Sequence, residues 1–322
     1  MAVPISQPTP IQAKPALGIV PKSPVLRSPN KSVRIIDPEE DSFAPIVNIG
    51  LMGLPGTGKT KFLADLVEAG AKVFSINTDP GGCGEETILA QCVKNGTLDK
   101  FKTNFRGIAI SDHDTIAEFF ENPAKFYPKI WDFSPDFFAW EGFANFQQVH
   151  VSEKVSELYT ESIESAKAAN PNTKKEESSS VSEGFKFEQQ QWGMIRNGTI
   201  RRSEEFLQLK NPSGKAIHHI LTIHEGVESI QMKDANGQPK SEEKASSRPA
   251  LQGAAKNFIG AGFAVVLRLT KEGNKYLYEN SSKTLGFTKN RGIDLPEGKF
   301  PASAMELVRM IESAYATVLF TR

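Results

Sequence analysis

The segment GLPGTGKT, Gly53–Thr60, stands between a short apolar run, Ile46–Met52, and a stretch that closes at Gly70 with Phe62, Leu63, Leu66 and Val67 on one helical face. It fits the pattern G-x-x-x-x-G-K-[ST] in full, and strand–loop–helix is the setting in which that pattern binds phosphate. Gly53, Gly56 and Gly58 let the backbone curl so that successive N–H groups point inward. The helix behind the loop adds the positive end of its dipole. Lys59 brings a point charge to the outer phosphates, Thr60 a hydroxyl for Mg2+, and Pro55 and Thr57 complete the turn. A chain built around such a loop is expected to take a nucleoside triphosphate.

Strand-like and helix-like runs alternate downstream. Lys72–Asn77 reads as a strand, GEETILAQCVKNG as a helix closed by Asn95-Gly96, and FRGIAIS as a strand. Asp112 or Asp114 caps the helix TIAEFFEN. Asp136–Phe143 and Ala216–Glu225 are further apolar runs with polar ends, and FAVVLRLT and KYLYEN flank the turn residues Glu272-Gly273-Asn274 as a hairpin. Ser303 and Glu306 stand at capping-box spacing before a last helix. Repeated strand-then-helix units imply an α/β fold, a mostly parallel central sheet flanked by helices.

Three stretches fall outside this pattern. Residues 1–45 are rich in Pro and Ser, with Lys14, Lys22, Arg27, Lys31 and Arg34 and no acid before Asp37; they read as a flexible, disordered basic arm. Residues 152–191 carry eight acids against five bases, and residues 225–256 scatter Lys233, Lys240, Lys244 and Arg248 among Gly, Pro and Ser. Both read as mobile insertions, the first of them partly helical. With 38 basic and 38 acidic residues the formal charge is zero, so any nucleic-acid contact needs a local patch. Cys83 and Cys92 show no metal-ligand spacing, and no apolar run reaches the length of a membrane span; the expectation is a cytoplasmic protein without a membrane partner.

A triphosphate hydrolase needs a metal-holding acid at a strand end and a group that orients water. Glu141 ends the run FFAW and precedes Gly142, with Asp132 and Asp136 as rivals that end no apolar run. Asp79, in NTDPGG, follows a strand and precedes a Gly-Gly turn, which suits either a water-orienting carboxylate or a turn residue. His224 ends the strand HHILTIH, where a polar side chain can sense a terminal phosphate; His218 and His219 read as plain strand residues.

In this order the pieces resemble the RecA-like ATPases, and more closely the phage-encoded RecA-like proteins of the Sak-type single-strand-annealing recombinase family. The resemblance runs from about Ile46 to the last helix and is carried by GLPGTGKT, NTDPGG, FFAWEG, the pair Trp192-Gly193, LTIHE, RPALQGAAKNFIGAGFAVVLRL and TKNRG. Glu141 stands where the family usually has Asp, and Asp79 where it usually has Glu. The resemblance implies a RecA-like P-loop ATPase domain over residues 46–322 that uses ATP and Mg2+. Thr60 and Glu141 would hold the ion, Asp79 activate water and His224 sense the γ-phosphate. Lys289 and Arg291 would reach the nucleotide of a neighbouring subunit. It further implies a homo-oligomer, ring or filament, that binds single-stranded DNA and promotes annealing or recombination in the host cytoplasm, with a single-strand-binding protein as a further partner. The two insertions fall where DNA-binding loops lie in that family, which makes Lys174, Lys175, Lys233, Lys240, Lys244 and Arg248 candidate DNA contacts. A second patch, Arg196, Arg201, Arg202, Lys210 and Lys215, sets five bases against two acids. The alternative reading is an assembly or regulatory ATPase of the same fold whose partner is a protein. A small-molecule kinase would want an Arg-rich lid, and a GTPase an NKxD-like run; neither is present.

Overall fold

The computed structural model describes residues 46–79, 83–169, 189–233, 239–251, 255, 262–280 and 288–321. The expected arm, residues 1–45, lies outside them. In chain order the elements are β1 (Asn48–Gly53), α1 (Lys59–Ala69), β2 (Val73–Asn77), α2 (Cys83–Lys94), α3 (Leu98–Asn104), β3 (Phe105–Ala109) and α4 (His113–Glu121). The short helices α5 (Pro123–Phe126) and α6 (Ile130–Phe133) precede β4 (Phe137–Glu141) and α7 (Phe143–Asn145). A π-helical turn, Phe146–Val151, then runs into α8 (Ser152–Ala169). After α9 (Gln189–Leu207) come β5 (His218–Lys233), β6 (Pro239–Pro249), β7 (Val265–Glu272), β8 (Lys275–Asn280), β9 (Lys289–Asn290), β10 (Gly298–Pro301) and α10 (Ala304–Tyr315).

Strand order is β10-β8-β7-β1-β5-β4-β2-β3, with β6 paired to β5 and β9 to β7. The six strands β7, β1, β5, β4, β2 and β3 run parallel, while β8, β9 and β10 close one edge antiparallel. Strand alternation sorts side chains into two cores. Ile49, Leu51, Val73, Phe137, Ala139, Ile220, Val265 and Leu267 meet α1 and α10 through Phe62, Leu63, Leu66, Leu307 and Ile311. Phe74, Ile76, Phe138, Trp140, Leu221, Ile223 and Val266 face the other way, onto α4, α9 and the π turn through Phe119, Phe206 and Phe146. The molecule is thus an α/β protein with a mostly parallel sheet flanked by helices.

Helix ends follow the sequence signals. Asp112 accepts the Thr115 N–H at the start of α4, and Ser303 accepts the Glu306 N–H at the start of α10. Gly70 closes α1 in the left-handed region at φ 105°.

Helix is expected in the first of the two insertions and is found at both its ends, whereas the second differs from its reading. Residues 152–169 and 189–191 are helical, in α8 and α9; residues 170–188, with Lys174 and Lys175, lie outside the described residues. Residues 225–233 and 239–249 are paired strands rather than an irregular stretch, since β5 continues past the sheet and pairs antiparallel with β6 as a ribbon from Glu225↔Pro249 to Lys233↔Pro239, with one shift of register between Glu225 and Val227. Their backbone groups find partners in each other, which a polar hairpin achieves without an apolar face. Among the described residues no helix is long and apolar enough to cross a membrane.

Candidate functional site

The carboxyl ends of β1, β2 and β4 and the middle of β5 meet at one edge of the sheet. Gly53 is level with His224, and Asn77 with Glu141. Crevices beyond the carboxyl ends of parallel strands are where such sheets bind ligands.

The loop after β1 fits tightly against its neighbours. A Cβ on Gly53 would lie 2.4 Å from Thr57 Oγ1 and 2.6 Å from the Leu269 carbonyl oxygen, so only glycine fits there. Gly58 is left-handed at φ 98°, and a Cβ on it would meet the Tyr276 ring at 2.8 Å. Tyr276, on β8, therefore backs the loop, with the Lys271 ammonium 5.3 Å from its ring centroid. Lys59 is buried and donates to the carbonyl oxygens of Gly53 (2.8 Å) and Leu54 (2.9 Å). Burial pulls its pKa down to about 8, against the opposing pull of Asp79, Glu141 and Glu225.

Glu141 lies at the centre. Its Oε2 accepts from Thr60 Oγ1 at 2.8 Å and its Oε1 from Ser75 Oγ at 3.0 Å, which joins β4, α1 and β2 in one contact set. Burial pushes its carboxyl pKa up, against the two hydroxyl donors. The first turn of α2 closes over it, and a Cβ on Gly84 would lie 2.6 Å from Oε1. Asp79 rests on Gly142, where a Cβ would come within 2.6 Å of Asp79 Oδ1. The Asp79 N–H is held by Asn77 Oδ1 at 2.8 Å, and Oδ2 stands 3.9 Å from His224 Nε2. That separation makes His224 an electrostatic neighbour of Asp79 rather than a direct hydrogen-bond partner. His224 Nδ1 has no partner among the described residues.

Gly53–Thr60, Asp79, Glu141 and His224 are therefore brought together. Asp136 is not a rival for Glu141: it stands at the far, amino end of β4, where it accepts the Lys72 N–H (2.8 Å) and Lys215 Nζ (2.7 Å). His218 and His219, at the amino end of β5, are buried and distant from the crevice. Lys289 and Arg291 do not join this site. Lys289 pairs with Val266 and Asn290 with Val265, which is level with Ile49, while the loop begins at Gly53. That places Lys289 about 10 Å and Asn290 about 13 Å back along β1 at ~3.3 Å per residue, with Arg291 beyond them.

Of the basic patch, Arg202 is buried and pairs with Glu205, Arg201 pairs with the same carboxylate, and Lys215 is held by Asp136. Arg196 is half-buried on α9, while Lys210 and Arg248 are exposed. Lys233 and Lys240 lie on the ribbon, as does Lys244, and their side chains are outside the described set.

Sequence reasoning passed over Ser75, Tyr276 and a triad, Glu225–Arg268–Glu279, in which the Arg268 guanidinium meets both carboxylates at 2.7 and 2.9 Å. The available signal was a lone arginine inside the apolar run FAVVLRLT and an acid directly after His224. The donor set at Thr60 and Glu141 is hard oxygen, which suits Mg2+; such an ion takes one or two protein ligands and completes its shell from phosphate and water. Among the described residues no group of three or more His, Cys, Asp or Glu forms a metal site made of protein alone. No protein-family model matches the chain, and no curated protein matches it either.

Proposed function

We propose that the protein is a RecA-like P-loop ATPase that binds Mg2+ and ATP at Gly53–Thr60 and acts on single-stranded DNA as an oligomer, in annealing or recombination. The observation that carries the nucleotide reading is the contact of Glu141 with Thr60, the last loop residue, across two elements. A carboxylate and a hydroxyl so placed are the two protein ligands a Mg2+–triphosphate complex needs. Bound Mg2+ would offset charge on the phosphate oxygens. Lys59 would leave the Gly53 and Leu54 carbonyl oxygens to meet phosphate oxygens, as its position in the loop allows. Asp79 would orient the attacking water and accept its proton. His224 stands 3.9 Å away, where it would register whether the terminal phosphate is present. The ribbon β5–β6 starts directly after His224, and the Ala250 N–H returns to the His224 carbonyl oxygen at 2.7 Å. A change at His224 would therefore reach the ribbon through the backbone, and the ribbon belongs to one of the two segments assigned to DNA.

One observation favours the second reading, an assembly ATPase with a protein partner. Arg201, Arg202 and Lys215 are engaged with carboxylates of their own chain, which weakens the case for a phosphate-binding patch on α9. ATP hydrolysis with and without single-stranded DNA, in wild type and Lys59→Ala, separates the readings. Hydrolysis that rises with DNA, falls with salt and vanishes in Lys59→Ala is the expected result. Lys59-dependent hydrolysis indifferent to DNA would transfer the proposal to the protein-partner reading. Hydrolysis that survives in Lys59→Ala would overturn both.

A further inference from the structure

Gly84, Ile88 and Cys92 follow one another at four-residue steps and so share one face of α2. Ile88 and Cys92 are buried in the core that α1 lines. Beside that stripe Gln91 Nε2 donates to Asp65 of α1 at 2.8 Å, and Asn95, just past the helix, donates to Glu68 of α1 at 2.9 Å. From its second turn onward α2 is therefore fixed on α1. Its first turn brings Gly84 against the carboxyl group of Glu141, where a Cβ would lie 2.6 Å from Oε1, 3.0 Å from Cδ and 3.1 Å from Oε2.

The backbone does not require glycine at this point. Gly84 is not left-handed, and in a right-handed helix alanine is the better helix former. What the missing Cβ supplies is room for the end of the Glu141 side chain. Both oxygens of that carboxylate are engaged, Oε1 with Ser75 and Oε2 with Thr60, and the side chain is buried, so it has no free swing into solvent. With α2 anchored, a methyl group at position 84 would displace the carboxyl end and loosen its contact with Thr60. The three closest atoms all belong to that end, so a side chain one methylene shorter would withdraw from the helix.

We propose that Gly84 is a positioning residue of the metal site: by carrying no Cβ, it lets the long side chain of Glu141 keep its carboxylate beside Thr60. The inference deepens the reading of Gly53–Thr60 as a loop for Mg2+ and a triphosphate, and rests on it. A glycine that only eased the packing of α2 would matter for melting alone. One that positions Glu141 also sets how much Mg2+ the site needs.

The test compares wild type, Lys59→Ala, Gly84→Ala, Glu141→Asp and the double variant Gly84→Ala/Glu141→Asp. ATP binding is measured by calorimetry over a range of Mg2+ concentrations and in chelator, and each protein is melted without nucleotide. Gly84→Ala is expected to raise the Mg2+ concentration for half-maximal binding about tenfold, as loss of a group that orients a metal ligand does, and to lower the melting temperature. Its binding of ATP in chelator should match wild type. Added to Glu141→Asp, the same alanine is expected to change the Mg2+ requirement by less than about twofold and not to lower melting, since the two sites are coupled through the space they share. The double variant also serves where Gly84→Ala alone does not fold, because the shorter side chain leaves room for the methyl group. An unchanged Mg2+ requirement in Gly84→Ala would overturn the inference, as would an equal loss of binding in chelator and in Mg2+. So would a double variant that does not fold, or one that melts as far below Glu141→Asp as Gly84→Ala melts below wild type. A wild type that shows no Lys59-dependent ATP binding would overturn the nucleotide reading itself, and the inference with it.

Discussion

His218 and His219 sit side by side where β5 enters the sheet, and both are buried. The Val47 N–H donates to His218 Nδ1 at 3.1 Å, which requires that nitrogen to be unprotonated. His219 stacks on Phe138 and meets Phe206 edge to face, with Nδ1 3.1 Å from Asn48 Oδ1. Burial lowers their pKa values to about 4 and about 3. The unfolded chain binds protons at these two residues from about pH 6.5 downward while the folded chain does not. Stability is therefore full above that pH and falls as the pH drops toward 4, at a slope of about 1.4 kcal/mol per pH unit for each histidine. Glu141, whose carboxyl pKa is raised by burial, acts in the opposite sense as the pH falls. The contribution of one histidine is thus read as a difference between proteins: urea midpoints between pH 7 and 4.5 should fall less steeply in His219→Gln than in wild type. Parallel slopes in the two proteins would contradict a buried neutral His219.

Between residue and fold stands the connection that follows β4. Gly142 turns the chain at φ 77°, and α7 and the π turn then fold back over the end of β2. Thr78, the residue before Asp79, is fastened there from several sides. Its N–H donates to the Glu141 carbonyl oxygen at 3.0 Å, its hydroxyl accepts from Trp140 Nε1 at 3.1 Å, and its carbonyl oxygen accepts from Asn145 Nδ2. The clamp fixes where the Asp79 carboxylate stands relative to Glu141. Asn145→Ala is expected to cut kcat for ATP about tenfold, as small misplacement of a catalytic group does, and to leave KM little changed. Steady-state kinetics checks this, and a shift confined to KM would assign Asn145 to nucleotide binding instead. Much of this level was legible in the sequence. Buried strands announce themselves as apolar runs, and Asp112, Ser303 and Gly70 mark helix ends by local chemistry. The π turn was not, because it uses the same residue types as an α-helix and leaves no period of its own. The ribbon was read as irregular because both its strands are polar, although Asn236-Gly237 midway is a hairpin dipeptide. The Glu225–Arg268–Glu279 triad depends on β5 and β7 flanking β1, a long-range order that no local window contains.

At the scale of the whole molecule the candidate residues fall at two ends of the sheet. The loop, Asp79, Glu141 and His224 gather at the carboxyl end, while β9 places Lys289 and Arg291 beside the amino end of β7. The latter segment is fixed, for the Arg291 N–H donates to the Ala264 carbonyl oxygen at 2.9 Å and Tyr315 Oη donates to the Arg291 carbonyl oxygen at 2.7 Å. A basic pair held there does not serve the loop of its own chain, so the proposed role in hydrolysis requires a second copy in head-to-tail contact. Such an interface pairs the loop of one subunit with the basic pair of the next, and every productive site draws on two chains. Lys59→Ala and Arg291→Ala subunits are then each inactive for different reasons. In an equimolar mixture that exchanges freely, an intact loop meets an intact basic pair at about one interface in four, so about a quarter of wild-type ATP hydrolysis should return on mixing two inactive proteins. A mixture as inactive as its components, with exchange verified by a labelled subunit, would remove the shared site. Full activity in Arg291→Ala alone would remove it more directly, and would leave a hydrolase complete within one chain.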